Sequence, residues 1–193
     1  SLTDIGQSAF YGCTKLTSIH IPTGVTHIGE NAFNDCSGLT SITVDEGNAV
    51  YDSRENCNGI IETASNRLIK GIKNTTIPHS VTKIGPWAFS YCMDLTSVSI
   101  PNVTIIEENA FSDCAALTSV ELGDKLTEIG NAAFWACTGL TSIDIPQSVT
   151  TIGSFSFSQC TSLSSIVIPN SVTAIYDGAF ADCTSLSTVV VGA

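Results

Sequence analysis

A short pattern recurs along this chain with so little variation that few folds remain open to it. The stretch AFYGCTKLTSIHIP at residues 9–22 returns as AFNDCSGLTSITV from Ala32, AFSYCMDLTSVSIP from Ala88, AFSDCAALTSVEL from Ala110, AFWACTGLTSIDIP from Ala133 and AFADCTSLSTVVV from Ala179. A weaker copy, SFSQCTSLSSIVIP, begins at Ser156. The last apolar residue of each unit falls at Ile21, Val44, Ile77, Ile100, Leu122, Ile145, Ile168 and Val191, at spacings of 23, 33, 23, 22, 23, 23 and 23 residues. A fixed period of roughly 20 to 50 residues marks a solenoid, in which each unit covers the apolar face of its neighbour. The expectation is one continuous solenoid over residues 1–193, of about eight coils with one expanded.

Within a unit, the pattern LxxIxI at Leu16, Ile19 and Ile21 alternates apolar and polar residues as a half-buried strand requires. Successive strands are expected to stack into one parallel main sheet. Pro22 ends the strand because it has no N–H to donate. Val25 and Ile28 then bring the chain back as a short return strand, and Gly29 turns it. Glycine recurs there as Gly6, Gly85, Gly130 and Gly153, which suggests a positive φ, although Glu107 and Tyr176 hold the same place. AFxxCxxL puts Ala9, Phe10, Cys13 and Leu16 on one face of a short helical or 3-10 segment. The fold class expected is a β-dominant α/β superhelix of leucine-rich-repeat type, with return strands and helical turns.

Cys13, Cys36, Cys92, Cys114, Cys137, Cys160 and Cys183 then hold one equivalent inward position in seven coils, a structural ladder of small hydrophobes. Stacked equivalent positions point their Cβ atoms in parallel, which disfavours disulfides. The spacings of zinc sites are missing, so no metal and no cofactor is implied. Cys57 lies outside the ladder and is the candidate reactive thiol. The expanded unit replaces AFxxC with NAVYDSRENCNGIIETASNRLIKGIKNTTIP. GIIET and RLIKG flank turn residues and predict a hairpin at about 60–70, either a projecting binding loop or a lateral cover over the solenoid edge. Tyr51 with Ile60 or Ile61 is expected to plug the place of the missing phenylalanine.

The repeat LTSIxIPxxVTxIGxxAFxxC resembles the BspA-like branch of the leucine-rich repeats, and NAVYDSRENCNGIIETASNRLIKG resembles that family's variant coil. The resemblance spans the whole chain. Leu122-Gly123 departs from it where Ile-Pro is usual, the step from Ile100 to Leu122 is one residue short, and Phe155-Ser156-Phe157 disturbs one Ala-Phe pair. What the resemblance implies is a secreted or cell-surface protein that adheres to host or other-cell surface proteins, with a structural stalk or a glycan-binding module as the alternatives.

Composition narrows the partner. Hydrophobic residues make up 43% and charged residues 13%, enough for a packed core, and no run reaches the roughly 18 apolar residues of a membrane span. With 18 acidic against 7 basic residues and a net charge of −11, nucleic acid is excluded as a partner. An extracellular protein or a glycan remains.

Strand alternation predicts an outward column at His20, Thr43, Thr76, Ser99, Glu121, Asp144, Val167 and Val190. A second column holds Ser18, Ser41, Asn74, Ser97, Ser119, Ser142, Ser165 and Thr188. Eight strands about 4.8 Å apart make a strip roughly 40 Å long, comparable with one side of a standard interface of about 800 Å². The first six residues of the outward column are the candidate binding face, or else a solubilising Ser/Thr surface. Tyr11, Trp87, Tyr91 and Trp135 sit beside Ala-Phe pairs. The polar residues at neighbouring places, Asn34, Ser90, Ser112, Asp113 and Ser158, suggest an exposed aromatic ridge. That ridge is a candidate hot spot or sugar platform, unless the rings lean over seams between coils.

Catalysis has no support. His20, His27 and His79 fall in unrelated phases of the repeat, and Glu121 and Asp144 lie on an open sheet without a pocket. DEGN at Asp45 lacks the carboxylates of a calcium loop. Asn74-Thr75-Thr76 and Asn102-Val103-Thr104 match the glycosylation acceptor pattern, which matters only in a eukaryote. The ends SLTDIG and VVVGA show no polar cap, so the chain is expected to be a fragment of a longer protein.

Overall fold

Each coil has three sides: a face segment carrying LxxIxI, a short return strand, and an arm carrying AFxxC. The computed structural model describes residues 2–192. The face strands are Ser18–Ile21, Ser41–Val44, Ser97–Ile100, Ser119–Leu122, Ser165–Ile168 and Thr188–Val191, all in parallel pairings. They do not form the single main sheet expected, but three separate two-stranded sheets. Residues 142–145 keep Ile143 and Ile145 buried and Ser142 and Asp144 exposed without joining a ladder. At the second coil the strand neighbour is replaced by a side chain. Asn58 Oδ1 accepts from the Ile42 N–H at 2.6 Å, and Asn58 Nδ2 donates to the Thr40 carbonyl at 3.1 Å.

The long sheet lies instead on the return side. Eight strands run in spatial order Ala174–Ile175, Thr151–Ile152, Glu128–Ile129, Ile105–Ile106, Lys83–Ile84, Arg67–Lys70, Ile60–Glu62 and Tyr51–Asp52. The expanded unit feeds this sheet. Ile60–Glu62 and Arg67–Lys70 form the expected hairpin, and Arg67–Lys70 continues the parallel stack on Lys83–Ile84. The hairpin is therefore a built-in part of the sheet. Tyr51, Ile60 and Ile61 are buried, but on the return-side sheet and not in the place of the missing phenylalanine as expected.

The arms are not helical. Among the described residues the one helical element is a 3-10 turn at Arg54–Asn56 in the expanded unit. Each arm instead carries two residues at positive φ: Ser8 and Gly12, Asn31 and Asp35, Trp87 and Tyr91, Asn109 and Asp113, Ala132 and Ala136, Phe155 and Gln159, Gly178 and Asp182, all between 51° and 71°. A left-handed residue every fourth position stops a helix from propagating. It also turns alternate N–H groups toward the next coil. Asn109, Phe111 and Asp113 donate to the carbonyls of Asn131, Ala133 and Trp135, and the same three rungs recur at most arm junctions.

The phenylalanines between these rungs stack. Phe89, Phe111, Phe134, Phe157 and Phe180 stand 5.1 to 5.3 Å apart with rings within 7° of parallel, and Phe10 stacks on Phe33 at 5.4 Å. The turn glycines answer to contact rather than to φ. Gly29, Gly85, Gly130 and Gly153 do not have positive φ. A Cβ on any of them would lie 2.4 to 2.7 Å from backbone of the preceding coil. Gly123 follows the same logic where the coil is one residue short, because a Cβ there would stand 1.9 Å from the Pro101 carbonyl oxygen.

Candidate functional site

The outward column behaves as the alternation predicts: His20, Thr43, Thr76, Ser99, Glu121, Asp144, Val167 and Val190 are all exposed, as is the second Ser/Thr/Asn column. His20 is tied into its surroundings, with Nδ1 3.0 Å from Thr43 Oγ1 and Nε2 3.1 Å from Asp45 Oδ1. Two open recesses lie on this face, one lined by Thr40, Ser41, Thr43 and Asn74 and one by Thr76, His79, Ser99 and Glu121.

The four aromatic positions differ in exposure. Tyr11 is 52% exposed, whereas Trp87, Tyr91 and Trp135 are half-buried. The exposure expected at the neighbouring polar places is corrected too, since Asn34, Ser90, Ser112 and Ser158 are all buried. Tight intercoil rungs press these small side chains between adjacent arms, and Ser90 Oγ lies 2.7 Å from Ser112 Oγ. Tyr91 collects charged company. Asp113 chiefly, and burial next, raise its phenol, with Tyr11 and Asp35 also within reach, while burial raises the carboxyl of Asp113.

Five of the seven ladder cysteines are buried. Cys36, Cys114, Cys137, Cys160 and Cys183 are buried, and each thiol donates to the phenylalanine carbonyl of the preceding coil at 3.1 to 3.2 Å. Cys92 is half-buried, and Cys13, in the first described coil, is exposed. Cys57 is not the reactive thiol that the sequence suggests. It is fully buried, its Sγ lies 3.6 Å from Ser53 Oγ, and burial raises its pKa. Burial likewise pushes Cys160 up to about 12, so at pH 8 about one such thiol in 10⁴ is ionised. Alkylation of the native protein at pH 8 is expected to modify Cys13 first, within minutes, with Cys57, Cys114, Cys137 and Cys160 reacting only in denaturant. Peptide mapping by mass spectrometry reads this directly, and rapid native labelling of Cys57 or Cys160 would contradict the packing.

One feature of the arms escaped the sequence. In the expanded unit the chain cuts the corner from the return strand, and Gly71 takes the phenylalanine place: its N–H donates to Ala88 O at 2.9 Å and its carbonyl receives the Cys92 thiol at 3.7 Å. The rest of that arm is missing. A groove one coil wide is left between the arm of the second coil and the arm that begins at Trp87. Ile69, Lys70 and Ile72 form its floor, and its wider half encloses about 420 Å³. Lys70 lines both halves and is 6% exposed. Among the described residues its side chain has no ion pair and no hydrogen bond.

A family description of BspA-type leucine-rich repeats matches in six copies over residues 1–59 and 59–187. The chain belongs to the BspA-type leucine-rich repeat family. A leucine-rich cell surface protein from Faecalibacterium prausnitzii A2-165 is 38% identical and superposes with a TM-score of 0.87, covering 99% of this chain and 52% of that one. The leucine-rich repeat protein of T. pallidum is 37% identical with a TM-score of 0.61, covering 72% of this chain and 66% of that one. The pneumococcal vaccine antigen PcpA, at 21% identity and a TM-score of 0.85, shares the fold, covering 100% of this chain and 49% of that one. The chain thus spans about half the length of the F. prausnitzii protein. No curated protein matches it. In BspA-type terms the groove is an arm subtracted from one repeat, and its sequence signal is Lys70-Gly71 standing where Ala-Phe would be.

Proposed function

We propose that this array is a cell-surface module that holds protein partners, in adhesion to host or neighbouring cells, through the exposed face. The observation that carries the reading is the face itself: two outward columns remain exposed across eight successive coils, a strip roughly 40 Å long at about 4.8 Å per coil. Glu121 and Asp144 give its middle a negative charge suited to a basic partner. The cell-surface assignment of the 38%-identical F. prausnitzii protein supports an extracellular setting. Among the described residues no helix is long and apolar enough to cross a membrane.

The test is binding to a panel of extracellular-matrix proteins and glycans, with Glu121→Ala/Asp144→Ala beside Glu128→Ala on the return side as a control. The expected result is a protein ligand whose affinity falls about tenfold or more in the double variant, the scale of two modest interface contacts, and is unchanged in the control. A glycan ligand would move the reading to sugar recognition. Binding of nothing on the panel would leave a stalk that sets distance.

A further inference from the structure

We infer that the groove over Lys70 is a peptide-docking site, which takes an extended segment of a partner protein carrying an Asp or Glu side chain. This rests on the protein-binding reading and gives it a second, separate surface. Elsewhere in the array each arm donates three N–H groups to the next. In the second coil those donors are Asn31, Phe33 and Asp35, and none of the three makes a backbone hydrogen bond among the described residues. Across the groove the matching acceptors are the carbonyls of Pro86, Ala88 and Ser90. Gly71 uses Ala88 alone, and the other two accept nothing. With one rung absent, the walls stand about two strand spacings apart, roughly 9.6 Å. Gly71 fills the middle of that gap, and the half beside Cys92 and Met93, about 420 Å³, has room for a short extended stretch of chain.

Side chains at the same place specify what the chain should carry. Lys70 is 6% exposed, lines both halves of the groove and has no carboxylate partner, so an Asp or Glu side chain entering there would meet an unpaired basic group. Asn34 is 3% exposed and its Oδ1 has no partner, and the Oδ1 of Asn31 beside it is equally unmatched. These acceptors suit the amide N–H groups of a bound peptide. Trp87 and Pro86 flank one half, and Cys92, Met93 and Ile72 line the other with apolar surface. Addition of a strand between two ready edges supplies affinity through main-chain bonds and selectivity through one pocket.

Three pools of capped pentapeptides, randomised except for a central Glu, Gln or Lys, would be titrated against the protein and its Lys70→Met variant by fluorescence anisotropy. Lys125→Met, which removes a distant exposed lysine, serves as the control. The Glu pool is expected to bind at least tenfold more tightly than the Gln pool. Lys70→Met should erase that preference, and its melting temperature should equal or exceed that of the parent because methionine keeps the apolar stem that packs there. Equal binding of the three pools, or a Glu preference that survives Lys70→Met, would overturn the proposal. A melting temperature that falls in Lys70→Met would make the lysine a structural prop and overturn it as well. Matrix-protein binding that ignores Lys70→Met but responds to Glu121→Ala/Asp144→Ala would leave the face reading standing while the groove failed on its own test.

Discussion

Raising the pH from 9 toward 12 is expected to unfold this protein under reducing conditions. Burial raises the pKa of seven cysteines above the ordinary value of 9.0, and Cys160 reaches about 12. An acid whose folded pKa is raised keeps its proton longer in the native state than in the unfolded chain. Its contribution is therefore complete below about pH 9 and is lost as the pH climbs through the folded value. For Cys160 the interval is three units, or about 4 kcal/mol at about 1.4 kcal/mol per unit. That is a large share of the roughly 5–15 kcal/mol that holds a typical domain together. Urea denaturation at pH 8, 9.5 and 11 should show the midpoint falling continuously, with a shallower fall in Cys160→Ala. A midpoint that stays level to pH 11 would mean that the thiols are free to ionise in place.

Truncation of Phe134 to alanine is expected to cost about 3–5 kcal/mol, the range for a fully buried phenylalanine. Its ring stands 5.2 Å from Phe111 and 5.3 Å from Phe157, so removal opens the middle of the five-ring column on both sides. In an array stabilised by nearest neighbours, a defect at the centre weakens two junctions. Phe10, 41% exposed at the end of the two-ring column, loses far less area, and Phe10→Ala should cost under about 1.5 kcal/mol. Chemical denaturation of the two variants decides the matter, and equal losses would show that the column is not a cooperative unit.

Much of this architecture is written in period and phase. The spacing of Ile21, Val44 and Ile100 follows from the repeat, the outward place of Thr43 and Glu121 from side-chain alternation, and the hairpin at 60–70 from its turn residues, and the structure agrees. The arms do not follow from alternation. AFxxC has the spacing of a helix, but the residue before it and the one before its cysteine adopt positive φ even where they are Trp87, Tyr91, Ala132 or Phe155. None of those types announces a left-handed backbone. The tertiary contact decides, because only that conformation lets Phe89 and Phe134 donate to the next coil. The same intercoil closeness explains Gly29 and Gly153 without any appeal to φ, and buries Ser90 and Ser112 where polarity alone suggested exposure. The groove over Lys70 was illegible for another reason. It is defined by what the expanded unit omits, and ten additional residues draw attention to what it adds.

The junction after the second coil has a mechanical meaning. The face strands 18–21 and 41–44 and the return strands 4–5 and 27–28 form sheets of their own, unconnected to the eight-stranded one. Much of the polar stitching across that seam comes from side chains: the Tyr51 hydroxyl receives the Ile28 N–H, Asn48 spans to Pro22 and Val25, and Asn58 and Asn74 reach Thr40. A tensile load along the axis would meet continuous backbone rungs through most of the later coils but a few amides and one phenol here. The array would part first at this seam, yielding as two stiff blocks joined by the short stretch between Val44 and Tyr51.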